Sequence, residues 1–284
     1  MATSSPIRLR LVGGALRRYR ENLSYTLEQS AAVLECDRSK LSRIETGVRG
    51  IRPKELRELL TEYGVPDAEQ ETLQHLARRG DRPAWLQEYT AVLPGEAAEY
   101  YGLEPPAAEI MIYDAHAVPS LLRTPQYARV IAETGLGSPP GDHAERAVSA
   151  VEERQHLLLD GNRQVSVVLG EAAVRQQVGG PEVMAVQLDY LAGLAAANPA
   201  VTVQVLPFTA GAHAASGCTS FSLLRFGGDL AVVFVPGLGG RGSFAGEHCE
   251  VASYLRAFTQ LRAGALTVSG TVSLLQEAAG PPWD

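Results

Sequence analysis

Between residues 37 and 49 the chain reads Asp-Arg-Ser-Lys-Leu-Ser-Arg-Ile-Glu-Thr-Gly-Val-Arg. Leu41, Ile44 and Val48 recur at helical spacing and mark an inward-facing stripe. The opposite face of the same turns carries Ser39, Lys40 and Arg43, with Arg38 at its shoulder and Ser42 between. All five are hydrogen-bond donors, so the chemistry on offer is recognition of acceptors. A guanidinium spans guanine O6 and N7 with two bonds, and hydroxyls and amines reach base edges or phosphates. A short helix with such an outer face, placed after a turn of three or four residues, is what reading a major groove requires. Thr26, one helix earlier, and Arg49, just beyond, complete the candidate contact set.

Those donors need elements to position them. Thr26 opens the preceding helix: its hydroxyl can accept from the Gln29 N–H while Gln29 reaches back, a capping box. Leu27, Ala31 and Leu34 follow as that helix's apolar stripe, Glu35-Cys36 breaks the pattern, and Asp37 has the side chain of a second N-cap. Gly47 closes the donor helix, where a positive φ is wanted. A first helix spans roughly Arg8 to Asn22, with Leu9, Val12, Leu16, Tyr19 and Leu23 inward. Its Arg10, Arg17 and Arg18 are either phosphate contacts or solvated charges. Pro53 suits the first position of a fourth helix carrying Leu56, Leu59, Leu60 and Tyr63. Asp67 caps a fifth, with Leu73, Leu76 and Ala77 inward.

The stretch Tyr25–Pro53 resembles the lambda-repressor-like, or xenobiotic-response-element, helix-turn-helix family, whose donor helix ends in apolar-Glu-x-Gly, here Ile44-Glu45-Thr46-Gly47. Two positions depart from the pattern: Leu27 stands where the family often has Gln, and Glu35 where the turn usually has Gly. The resemblance implies an ion pair between Arg20 and Glu45 that is structural rather than a DNA contact. Double-stranded operator DNA is the expected partner, with binding as a homodimer.

At 284 residues the chain is too long for one such module, and two domains are expected. Residues 1–54 carry 11 Lys/Arg against 5 Asp/Glu, a net +6; the rest carries −13 of a chain total of −7. A basic end on an acidic body fits a DNA-binding head on a sensor or partner domain. Cys36, Cys218 and Cys249 are isolated, which argues against a zinc site or disulfide framework and for a reducing cytoplasm. No apolar run reaches membrane-spanning length. Arg17-Arg18 is followed by Tyr-Arg-Glu-Asn rather than an apolar segment, so no export signal is expected there. A cytoplasmic, nucleoid-associated regulator is expected.

Residues 78–83, Arg-Arg-Gly-Asp-Arg-Pro, read as the linker, giving a head at 1–80 and a second domain at 81–284. The fold class expected is an all-α five-helix DNA-binding head followed by an α+β domain with a mainly antiparallel sheet. Strands are expected at 108–115, 165–169, 201–206, 220–226 and 230–235. Helices are expected over 84–101 with a break at Pro94-Gly95, then 125–133, 142–159, 171–178, from Pro181, 248–263 and 267–278; Ser138-Pro-Pro-Gly141 is a turn. In the first strand Glu109, Met111 and Tyr113 alternate with Ile110 and Ile112, so one face should be buried while the other lines a cleft.

Other candidates for chemistry are weaker. Gly237–Gly242 satisfies G-x-G-x-x-G after a strand, but Ala257 stands near the position of the expected acid and no βαβ unit follows, so a glycine-rich hairpin is favoured. His213, Ser216 and Cys218 share a loop without a nucleophile elbow. His248-Cys249 lacks a third ligand, and Glu109, Asp114 and His116 read as structural. No catalytic residue, cofactor or metal is expected, and the chain is not read as an enzyme. The blocks at 103–131, 152–159, 170–191 and 201–226 resemble the C-terminal domain of many actinobacterial helix-turn-helix regulators. Those proteins look like antitoxins paired with a small protein encoded nearby, which implies control through this domain. Ser120 and Arg123 depart from the Gly and Gln that the family favours. The alternatives are a ligand- or nucleotide-sensing regulator, or an enzyme domain targeted to DNA.

Overall fold

The computed structural model describes residues 6–78, 83–89, 92–93, 95–135, 142–159 and 163–280. The expected linker at 79–82, Pro94 of the helix break and the turn at 138–141 lie outside the described residues.

The head is five helices: α1 (Pro6–Asn22), α2 (Leu27–Val33), α3 (Arg38–Glu45), α4 (Pro53–Glu62) and α5 (Asp67–Ala77). Their apolar faces converge on Leu16, Leu41, Ile44, Leu56, Leu59, Leu60, Leu73 and Leu76, all fully buried. Thr26 and Gln29 form both bonds of the capping box, with Gln29 N donating to Thr26 Oγ1 at 3.2 Å and Thr26 N to Gln29 Oε1 at 2.7 Å. Asp37 holds the extended N-cap backbone of α3, but its carboxylate makes no cap bond. At the α2–α3 turn, Glu35 itself takes the left-handed conformation (φ 47°) in place of a glycine.

Two expected core residues are outside it. Leu23 is 42% exposed, because α1 stops at Asn22 and the chain reverses through Ser24 at φ 57°. Val48 is 67% exposed, because α3 ends at Glu45 and Gly47, at φ 70°, sends the chain outward before another helical turn can form.

The second half comprises α6 (Ala84–Glu88), α7 (Gly95–Leu103), β1 (Glu109–Asp114), α8 (Pro125–Thr134), α9 (Asp142–Leu158), β2 (Gln164–Gly170) and α10 (Glu171–Arg175). It continues with α11 (Pro181–Ala197), β3 (Val201–Leu206), β4 (Ser220–Gly227), β5 (Leu230–Pro236), β6 (Gly242–Ala245), α12 (His248–Gly264) and α13 (Val268–Ala279). Among the described residues the strands form one sheet in the order β3-β2-β1-β4-β5-β6. The pairs β1–β4, β4–β5 and β5–β6 are antiparallel, so the sheet is mostly antiparallel. β1–β2 and β2–β3 are parallel, each joined by a helical crossover as parallel pairing demands. β6 is a strand that hydropathy did not reveal, being only Gly-Ser-Phe-Ala.

Both faces of β1 are covered, correcting the expectation of a cleft. Ile110 and Ile112 join the larger core, and Met111 and Tyr113 join a second cluster with Phe221, Val233, Phe258 and Leu261 beneath α12. The larger core runs without interruption into the head: α1 lies on β5 and α5 on β4. Arg8 of α1 also donates to the Gly102 carbonyl at 2.5 Å. The two expected domains therefore meet through a shared apolar contact.

Candidate nucleic-acid interface

The donor helix α3 is anchored before it is presented. Arg20 Nε and Nη2 donate to Glu45 Oε1 and Oε2 at 2.7 and 2.8 Å, and Nη1 donates to the Tyr25 carbonyl at 2.9 Å. Both side chains are buried. A planar fork on a carboxylate fixes distance and orientation together, so α1 sets the position of α3. The bond to Glu45 holds the Arg20 guanidinium above its ordinary pKa against the opposing effect of burial. Beside it, Tyr19 donates to Glu69 of α5; burial, then that carboxylate, pushes the phenol up to about 12.

The loop after α3 is equally fixed. Thr46 Oγ1 donates to the Ser42 carbonyl at 2.9 Å, Gly47 N to the Ile44 carbonyl at 3.0 Å, and Arg49 N to the Arg43 carbonyl at 2.9 Å. A Cβ on Gly47 would fall 2.7–2.9 Å from Arg10 atoms, including its backbone, so only glycine fits both the turn and the approach to α1.

On this scaffold Ser39 and Arg43 stand exposed on the outer face of α3, and Arg49 is exposed on the loop. Arg38 is exposed too, 3.1 Å from Glu28 at the start of α2. That pair is solvated and free to exchange for a phosphate. Thr26 is exposed at the N-terminus of α2, its hydroxyl engaged in the cap. Ser42 is half-buried and lines a groove of about 410 Å³ between α1, α2 and α3, shared with Arg17, Leu27, Glu28, Arg38 and Thr46.

Lys40 is not on the outer face. Its Nζ lies 2.6 Å from Glu55 Oε1 of α4, with both side chains largely buried. Burial pushes the Glu55 carboxyl up, but Lys40 and the Arg52 backbone N–H outweigh it and leave it below the ordinary value. Helical spacing placed Lys40 within reach of the donor face; only the packing of α4 shows that it turns away. Thr46, which shapes the groove, has no sequence signal beyond its place in Ile-Glu-Thr-Gly.

Gly237 N donates to the Arg241 carbonyl at 2.7 Å, and the glycine segment joins antiparallel β5 to β6 as a hairpin. His213 N donates to Ser216 Oγ, and His213 Nδ1 accepts from Ala215 N, which makes a tight local turn. The Cys218 thiol lies 3.3 Å from the Ser220 carbonyl, and burial raises its pKa, the opposite of an activated nucleophile. His248 and Cys249 are exposed at the start of α12. Glu109 pairs with Arg225 at 3.0 Å, Asp114 accepts from the His116 and Ala117 backbone, and the His116 side chain is exposed.

The loop at 119–124 is braced from within. Arg154 of α9, fully buried, donates from Nε and Nη2 to Glu104 at 2.6 and 2.5 Å and from Nη1 to Ser120 Oγ at 2.7 Å. Gln187 of α11 bridges the Thr124 N–H and the Leu122 carbonyl, each at 2.8 Å. The Arg154–Glu104 pair joins residues 50 positions apart, which no local pattern reveals. Among the described residues no helix is long and apolar enough to cross a membrane.

Two short helices at a tight turn, the second exposing cationic and hydroxyl donors, define a helix-turn-helix DNA-binding domain. Residues 11–73 match the family model described as Helix-turn-helix domain. Residues 97–277, more than half of the chain, match that described as Domain of unknown function (DUF5753). The protein belongs to this family: a DNA-binding regulator with a helix-turn-helix head and a DUF5753 C-terminal domain. No curated protein and no solved structure matches the chain.

Proposed function

We propose that the protein is a sequence-specific transcriptional regulator that binds an operator as a homodimer, in the cytoplasm and associated with the nucleoid. In this reading Arg43, Ser39 and Arg38 face base edges in the major groove, while Thr26, Ser42 and Arg49 face the phosphate backbone. The observation that carries the reading is the division of labour on α3. Its inner side is fixed by Arg20–Glu45 and Lys40–Glu55, while Arg38, Ser39 and Arg43 stand in solvent. A rigid helix presenting solvent-exposed donors pays little ordering cost on binding. Selection from a random duplex pool tests it, with a consensus lost in Arg43→Ala as the supporting result. Recovery of unselected sequence by the wild type contradicts it.

The second domain in this reading has a regulatory rather than an enzymatic role and needs neither cofactor nor metal. Control by a small protein partner, antitoxin-like, rests on the resemblance of residues 103–226, and the body's net negative charge supports a function other than gripping DNA. A pull-down with the intact chain, followed by titration of any captured protein into a preformed operator complex, tests it. By linkage, a partner that weakens operator binding must be released by operator to the same degree. Capture of nothing, with a calorimetric heat for a nucleotide or metabolite, replaces the partner with a ligand.

A further inference from the structure

Arg10, Arg17 and Arg18 lie along the flank of α1 turned towards the body. They line one wall of a cleft of about 740 Å³. The other wall holds Asp229, from the β4–β5 turn, with Glu247 and Glu250 at the start of α12. Arg17 and Thr46 line both this cleft and the groove beside α3, so the space on the recognition face continues into the space between head and body. The separation is set by packing: the Arg8–Gly102 bond holds α1 to the body, and a Cβ on Gly246 would already meet Ile7 and Leu11 at 3.9 Å. Among the described residues no ion pair bridges the walls, and Arg17 is paired within its own helix to Glu21 at 2.8 Å. Among the described residues the three carboxylates therefore stand without an ion-pair partner in a cleft that adjoins the groove beside α3.

We propose that Asp229, Glu247 and Glu250 form a fixed anionic wall that holds down the DNA affinity of the intact chain. The wall repels phosphate directly and lowers the positive potential that the α1 arginines would otherwise present. The inference rests on the DNA-binding reading above. Because it acts through charge and not through base contacts, it affects cognate and non-cognate duplexes alike and fades as salt screens it.

The test uses the full chain carrying Asp229→Asn, Glu247→Gln and Glu250→Gln together. The charge-matched control carries Glu133→Gln, Glu182→Gln and Asp189→Asn. Those residues lie on α8 and α11, and α11 covers β3, the sheet edge farthest from the strands that meet the head. Fluorescence anisotropy is read with the selected operator and with an unrelated duplex, after thermal melts confirm that both variants are folded. The wall variant is expected to bind both duplexes about three- to tenfold more tightly at about 0.1 M salt, with the gain closing at about 0.5 M. The control is expected to stay within about twofold of wild type, since its charges sit on helices that do not line the cleft. A wall variant that gains no more than the control overturns the proposal. A wild type that prefers neither duplex, with the wall variant still gaining, sinks the sequence-specific reading and leaves the wall standing. No duplex binding by any form overturns both.

Discussion

Glu55 serves two helices at once: Oε1 holds the Lys40 amine of α3 at 2.6 Å, and Oε2 accepts the Arg52 N–H that opens its own helix at 3.3 Å. The pair ties the donor helix to α4, as Arg20 ties it to α1. Lys40→Ala is therefore expected to lower head stability by about 1–2 kcal/mol while the operator consensus stays unchanged. Melting curves and a repeat of the pool selection check both halves. An intact melt with a changed consensus would return Lys40 to the base-reading set. The carboxyl of Glu55 is depressed in the fold, so its contribution is complete above its unfolded value near 4.5 and is lost as pH falls through the lower folded value.

Arg20→Ala leaves the Glu45 carboxylate buried without its partner. Breaking a buried pair from one side costs on the order of 3–5 kcal/mol, so the melting temperature of the intact protein should fall markedly. Arg20→Lys should recover only part of it, since an ammonium cannot span both oxygens and the Tyr25 carbonyl. Unchanged melting with reduced DNA affinity would make Arg20 a phosphate contact.

Arg43 and Arg49 should separate in a salt titration. Arg43→Ala is expected to cost about 1–3 kcal/mol on the operator and to relax one base position. Arg49→Ala should weaken all sequences alike and reduce the salt slope by about one. Mobility shifts at several salt concentrations read both. Identical behaviour of the two variants would refute the division into base and phosphate contacts.

Tyr19 carries a phenol raised to about 12 in the fold, first by burial and then by Glu69. The folded state holds that proton more tightly than the unfolded chain, so its contribution is complete below pH 10 and is lost as pH rises towards 12. Wild type should lose stability across that window more steeply than Tyr19→Phe. Parallel alkaline melting curves for the two would show that the Tyr19–Glu69 bond contributes nothing.

The recognition unit was legible because its signals are local. The Thr26–Gln29 box, the donors on α3 and the Gly47 stop each lie within one or two helical turns, where periodicity and capping chemistry act directly. Arg20 and Glu45 needed a family likeness, being 25 residues apart. Lys40 and Val48 misled for the same reason: spacing gives a direction on an ideal helix. The direction of Lys40 depends on α4, and that of Val48 on where α3 ends. In the body, apolar runs located most strands, but the parallel β1–β2–β3 order depends on crossovers of tens of residues, and β6 has too little hydropathy to be noticed. The Glu104–Arg154 pair is set entirely by tertiary packing.

The continuity of the core from α1 into β5 has a consequence for how readily such a regulator changes its target. A head held only by a tether could be exchanged whole. Here Ile7, Leu11 and Arg8 belong as much to the body as to the head, so a transplanted head arrives with a mismatched seam. The separable piece is smaller: residues 38–43 and 48–49, whose outward side chains touch neither Arg20, Glu55 nor the body, apart from Lys40 and Leu41. A graft limited to those outward positions, with Gly47 retained for its approach to Arg10, should change the face offered to DNA while leaving the seam between head and body intact.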